Sequence, residues 1–215
     1  MNPLLIRRRG MMQAATPPST LVFHNYLVYD GAAYIQTDIL LPQNGAVKTY
    51  VKLGNLRRAE GYFSALDNSA NIVFGVRSTS FTNFVGEAFY DSTSYSRRTG
   101  GINWANHSNA NMWITPSAFS AADTTLTFTK GSTLPTSGLI FGQAKSSNPF
   151  RGQMAVIYIY DDSAQNVTNL AGFTGLVPLY TLKPCEYNNQ CGLWCEETNR
   201  FYGNTAGVGT LNIAD

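Results

Sequence analysis

From residue 21 onward, short apolar runs rich in β-branched and aromatic residues alternate with clusters of Gly, Asn, Asp, Ser and Pro. The runs at 21–29, 33–40, 47–53, 62–66, 71–77, 84–90 and 111–115 read as strands. Those at 124–129, 139–143, 154–160, 176–182, 192–195 and 208–213 continue the series. Several alternate with period 2: Leu126 and Phe128 face one way, Thr125, Thr127 and Thr129 the other. In Met154-Ala155-Val156-Ile157-Tyr158-Ile159-Tyr160 nearly every position is apolar, which predicts a central strand covered on both faces. Asp161-Asp162-Ser163 ends that run, and 163–171 is the one stretch expected to hold a helical turn. Many short strands separated by turn signals predict an all-β fold, a two-sheet antiparallel jelly-roll sandwich. No internal repeat is visible.

Composition narrows this further. The chain has 215 residues, enough for one domain with a full hydrophobic core. Hydrophobic residues make up 44% and charged residues 13%, about half the usual charged fraction, which excludes a disordered chain and a coiled coil. Of 15 basic and 13 acidic residues, residues 1–20 hold three arginines and no acid, so the rest carries 12 against 13, a net of −1. A near-neutral body lacks the electrostatic footprint of nucleic-acid binding. No apolar run reaches the 18 residues or so that a spanning helix needs, so no membrane partner is expected. The start resembles no secretory signal, and cytoplasmic synthesis is expected. Residues 1–20 read as an extended arm, an apolar-basic head followed by a linker stiffened by Pro17-Pro18; residues 21–215 read as the β-domain.

Candidate chemistry is sparse. His24 and His107 are the only histidines, neither lies in a nucleophile motif, and no Gly-x-Ser-x-Gly occurs. A retaining glycosidase needs two carboxyl groups about 5–5.5 Å apart. The nearest approach on one strand, Glu87 and Asp91, spans about 13 Å at the usual strand rise. Asp161-Asp162 and Glu196-Glu197 are adjacent and point apart or sit in turns. Cys185, Cys191 and Cys195 lack a nearby fourth zinc ligand and are too few for a disulfide framework. Asp91 or Asp161-Asp162 could serve a calcium ion at a loop rim, without the dense acidic loop that such sites favour. No catalytic residue, metal or cofactor is therefore expected. Carbohydrate binding suits the residue types better, because 12 Tyr, 12 Phe and 3 Trp supply flat faces for sugar rings. The 95–111 loop gathers Tyr95, Arg97, Arg98, Trp104, Asn106 and His107 as a candidate glycan face.

Three segments together resemble a family. Leu4-Leu5-Ile6-Arg7-Arg8-Arg9-Gly10-Met11-Met12 looks like the opening of many proteins from phages and prophages of gut Bacteroidetes. Tyr29-Asp30-Gly31-Ala32-Ala33-Tyr34-Ile35-Gln36-Thr37-Asp38-Ile39 resembles the first-strand motif of the laminin-G-like, concanavalin A-like jelly rolls in such phages. Val177-Pro178-Leu179-Tyr180 and the stretch from Gly192 through Asn204 to Thr210 are similar to their closing hairpin. Within it Trp194, Phe201 and Tyr202 are expected to pack across the strands, with Glu197-Thr198-Asn199 as the turn. The likeness covers both ends and the 150–160 strand; residues 45–135 match only in strand rhythm. Cys195 stands where the family has Asp, and Asn169–Gly175 is an extra segment placed at a rim.

The resemblance implies a non-enzymatic virion structural protein of tailed phages, crAss-like phages included: a head fibre or capsid decoration, homotrimeric, on the particle surface. Leu4, Leu5, Ile6, Met11 and Met12 would seat in a capsid or other virion protein, with Arg7, Arg8 and Arg9 paired to acidic groups. The alternative is a tail or baseplate receptor-binding lectin for host surface glycans. A glycoside hydrolase using Glu87 ranks third.

Overall fold

The period-2 pattern becomes two facing sheets in the computed structural model, which describes residues 20–53, 60–78, 86–91, 97–99, 109–121, 124–143 and 148–215. The first strands are β1 (Leu21–Phe23), β2 (Tyr26–Asp30), β3 (Ile35–Gln36), β4 (Ala46–Leu53), β5 (Glu60–Leu66) and β6 (Ile72–Ser78). Next come β7 (Gly86–Tyr90), β8 (Arg97–Thr99), β9 (Asn109–Ile114), β10 (Ala118–Ala121), β11 (Thr124–Thr127), β12 (Ile140–Phe141) and β13 (Asn148–Pro149). The last are β14 (Arg151–Met154), β15 (Ile157–Tyr160), β16 (Tyr180–Tyr187), β17 (Gln190–Cys195), β18 (Arg200–Tyr202) and β19 (Leu211–Ala214). The fold is an all-β, jelly-roll-like sandwich. Its larger sheet runs β11-β10-β9-β4-β15-β16-β17-β18, and its smaller sheet β3-β12-β5-β6-β7-β8. Pairings are antiparallel except β13 on β5.

The core lies between the sheets and is rich in rings. Phe63, Phe74 and Tyr90 of the smaller sheet stack at 6.2 and 5.3 Å between centroids. Tyr90 and Phe128, then Phe128 and Phe119, carry the chain of rings across to the larger sheet at 6.2 Å each. Tyr29, Phe150 and Tyr62 form a second ring cluster. Burying each such ring is worth about 2–3 kcal/mol by area, which dominates over any single hydrogen bond here. Gly142 adopts φ +83°, and a Cβ there would come within 2.4 Å of the Tyr29 ring; glycine is what lets that ring close on the backbone.

Several expected strands change shape. The 154–160 run does not stay one central strand. β14 and β15 share β4 as a neighbour on one side, with Met154 opposite Val51 and Tyr158 opposite Lys48. On the other side β14 pairs with β2, whereas β15 pairs with β16. Between them Ala155 N–H donates to Tyr50 O at 2.8 Å, and the sheet forks at Ala155–Val156. Cover on the second face is therefore partial: Tyr158 is half-exposed.

The 21–29 run divides into β1 and β2. The 33–40 run keeps only β3, because Thr37 turns its hydroxyl to Leu139 O (2.9 Å) and accepts from Ile39 N–H (3.2 Å). β10 has no counterpart in the sequence reading. The expected helical turn is two short 3-10 turns, Asp162–Ala164 and Leu170–Phe173, capped by the Asp161 and Asn169 side chains. The extra segment 169–175 lies across the outer face of the larger sheet rather than at a rim. Phe173 packs on Trp113 (5.6 Å) and Tyr160 (5.2 Å).

In the closing hairpin Trp194 stands opposite Phe201, and Tyr187 joins both at 5.6 and 5.4 Å. Gly192 makes room for this: a Cβ there would meet Tyr202 O at 2.3 Å and the Phe201 ring at 2.7 Å. Tyr202 points to the opposite face, as its pairing with Leu193 requires, and does not join the Trp194 cluster.

Candidate functional site

The anticipated anchor, Leu4 through Arg9 with Met11 and Met12, lies outside the described residues, as do Tyr95, Trp104, Asn106 and His107. Arg97 and Arg98 lie on β8, opposite Ala88 and Glu87 of β7 in the smaller sheet. Of the candidate glycan residues, only the Arg97 and Arg98 backbone falls within the described part of the chain.

Of the acids considered for catalysis, Glu87, Asp91 and Glu196 each meet a separate cation. Glu87 is buried and binds Arg77 through Nε (2.9 Å) and Nη2 (2.8 Å). Asp91 lies 3.9 Å from Lys130 Nζ; burial raises its pKa and Lys130 pulls it back. Glu196 pairs with Lys183 at 2.6 Å. Glu197 accepts from Thr181 N–H at 2.7 Å and lies 3.6 Å from Cys195 Sγ. His24 Nδ1 meets the Asp215 carboxylate at 3.1 Å. Cys185, Cys191 and Cys195 are free thiols, and burial pushes the Cys185 thiol up to about 12, far from a reactive thiolate. Among the described residues no three His, Cys, Asp or Glu side chains cluster as metal ligands, and no helix is long and apolar enough to cross a membrane.

A different arrangement stands out on the outer face of the larger sheet. β4 reads Ala46-Val47-Lys48-Thr49-Tyr50-Val51-Lys52-Leu53. Alternation sends Val47 and Val51 into the core, where they are fully buried, and leaves Lys48, Tyr50 and Lys52 half-buried on the outside. Neighbouring strands put Tyr158 opposite Lys48 and Asn111 opposite Tyr50. The strands part at the Ala155–Val156 fork, and a groove of about 350 Å³ lies here, lined by Thr49, Tyr50, Ala155 and Val156 together with Asn25, Tyr26, Lys48, Asn111 and Tyr158.

Aromatic rings hold both lysines. Lys52 Nζ sits 3.7 Å from the Tyr26 centroid; Lys48 Nζ sits 5.3 Å from that of Phe173 and 5.8 Å from that of Tyr158. Burial lowers the Lys48 pKa from the ordinary lysine value. Neither lysine meets a carboxylate among the described residues, and no acid lines the groove.

A second recess of about 310 Å³, lined by Asp38, Leu40, Tyr180, Thr198, Arg200 and Tyr202, is built the opposite way. Arg200 binds Asp38, and Tyr202 OH donates to the same carboxylate at 2.5 Å. The Tyr202 bond is foremost in holding Asp38 below the usual carboxylate range, with Arg200 adding to it. That recess is electrostatically satisfied from within, whereas the groove presents the Lys48 charge without a carboxylate partner among the described residues.

One sequence signal marks this face: Lys-x-Tyr-x-Lys inside a strand places three such side chains on one side. Asn111, where the anticipated 95–111 glycan loop ends, is the point at which that reading and the groove meet. No family model matches the chain, and no curated protein matches it.

Proposed function

We propose that the chain is a non-enzymatic virion structural protein of a tailed phage, a head fibre or capsid decoration. In this reading residues 1–20 fasten it to a capsid or other virion protein and the sandwich is held outward as a homotrimer. The sequence likeness to jelly-roll phage proteins supports this, as does the composition of the arm.

The observation that carries the reading is the joint between arm and sandwich. β1 pairs with β16, Leu21 opposite Tyr187 and Phe23 opposite Cys185, and Thr20 Oγ1 donates to Asn188 Oδ1 at 3.0 Å. His24 N–H donates to Pro184 O at 3.0 Å, and Asn25 N–H donates to Asp215 Oδ1 at 3.3 Å. The chain thus enters the sandwich through a bonded strand at the β16–β17 tip. Val22 and Phe23 of that strand remain exposed, at 53% and 41%, as apolar surface. A pull on the arm would be borne by the larger sheet.

Deleting residues 1–12 is expected to leave a folded protein that no longer joins particles, read as its copy number in purified virions. Wild-type incorporation of the truncated protein overturns the proposal.

A second reading, a tail or baseplate lectin for host glycans, is favoured by the groove with its tyrosines, its amides and Lys48, and by Lys52 on the Tyr26 ring beside it. Glycan-array binding, lost on Tyr50→Ala or Trp104→Ala, would support it. Absence of binding to host polysaccharide would count against it.

A further inference from the structure

We propose that the groove along β4 takes an acidic carbohydrate, its sugar rings lying against Tyr50 and Tyr158 and its carboxylates meeting Lys48 in the groove lining and Lys52, which stacks on the Tyr26 ring beside it. This rests on the glycan-binding reading and adds the charge class of the ligand.

Charge comes first. Arg77, Lys130, Lys183 and Arg200 each have a carboxylate partner in the fold. Lys48 and Lys52 have rings instead. A ring face steadies an ammonium group but accepts from one side only, so N–H donors stay free to meet an anion. Half-burial makes that unmet charge count for more than it would on an open surface, because the groove walls displace water.

Spacing comes next. Lys48 and Lys52 lie four residues apart on one strand face, about 13 Å along the backbone, with Tyr50 midway. That suits a chain with acidic groups on separated rings and a flat sugar face between them.

Polyphosphate fits less well. The body outside the arm is near neutral, and among the described residues no arginine lines the groove to grip phosphate bidentately. An acidic peptide offers the charge but no flat ring for Tyr50 and Tyr158; it becomes an arm of the test.

The experiment is calorimetric titration of the full chain with hexagalacturonate, a hyaluronan octasaccharide and an oligosialic acid. The methyl ester of hexagalacturonate and polyglutamate serve as controls. At least one acidic sugar is expected to bind. If the uronate is that ligand, esterification should weaken binding about tenfold or more; whichever acid binds, the Lys48→Met/Lys52→Met double variant should lose a similar factor. Lys48→Arg/Lys52→Arg is expected to retain binding, which separates charge from fold. Tyr50→Ala should weaken sugar binding while leaving any polyglutamate binding unchanged.

Equal affinity for uronate and its ester overturns the acidic preference and leaves the lectin reading standing. Polyglutamate bound as tightly as the sugars, with Tyr50→Ala silent, overturns the carbohydrate assignment in favour of a peptide. No binding of any sugar, charged or neutral, overturns both the inference and the lectin reading, while incorporation of the protein into particles stands apart from either result.

Discussion

The outer face of the larger sheet has two halves made from similar residues and finished differently. In one, Trp113 and Tyr160 are covered by the segment that follows β15, with Phe173, Val167 and Ala164 closing a small second core. In the other, Tyr26, Tyr50 and Tyr158 stay half-exposed beside Lys48 and Lys52. Lys48 sits on the boundary, between the ring of Phe173 from the cover and the ring of Tyr158 from the open side. Rings on an outward strand face can become core or binding surface; what decides is whether another piece of chain comes back over them.

The largest break in this contrast should come from Phe173→Ala. It empties the ring-lined space over Trp113 and Tyr160 and is expected to cost about 3 kcal/mol in urea unfolding, with Trp113 emission shifted to the red. Thr115→Ala ranks second. The buried Thr115 hydroxyl donates to Val167 O at 2.8 Å and accepts from Ala118 N–H at 3.1 Å, tying the cover to the β9–β10 turn. Losing it leaves a buried carbonyl unpaired and should cost about 2 kcal/mol, largely restored by Thr115→Ser. Asn169→Ala removes the cap whose Oδ1 accepts from Gly172 N–H at 3.0 Å. An effect of about 1 kcal/mol is expected, visible as faster hydrogen exchange at Gly172 and little change elsewhere.

On the open side Lys52→Met removes the contact with the Tyr26 ring and no ion pair among the described residues, and should cost no more than about 1 kcal/mol. Lys48→Met tests the boundary through pH. Burial holds the Lys48 pKa in the fold below that of the unfolded chain. Between those two values the unfolded state binds more protons, so stability rises with pH as the ordinary lysine value of about 10.4 is approached from below. That rise should be missing in Lys48→Met, measured as the difference in urea midpoints between neutral and alkaline pH.

Much of the fold could be read along the chain because its signals are local. β4, β5, β6 and β9 lie within a residue or two of the expected 47–53, 62–66, 71–77 and 111–115 runs. Trp194 faces Phe201, as expected across the closing hairpin, and the expected turn at 197–199 falls between the paired Cys195 and Arg200. Elsewhere the local signal was silent or misleading. A run apolar at every position, such as 154–160, carries no alternation to mark where its neighbours change, so the fork at Ala155 left no trace. Tyr202 was grouped with Trp194 by proximity in sequence, yet period 2 sends it to the other face, where it reaches Asp38. The groove escaped notice for another reason: Lys-x-Tyr-x-Lys gives the facing of those side chains and says nothing of their partners.

What the amino-acid order determined by itself was the kind of structure: an all-β chain, which residues of each strand share a face, and where its closing hairpin turns. These follow from backbone geometry acting over a few residues. The tertiary structure decided which outward faces are covered and which charges are neutralised. Whether the 162–176 segment lies over Trp113 rather than Tyr50, and whether a carboxylate arrives beside Lys130 rather than Lys48, depends on contacts between residues far apart in the chain, and only the packed sandwich brings those together.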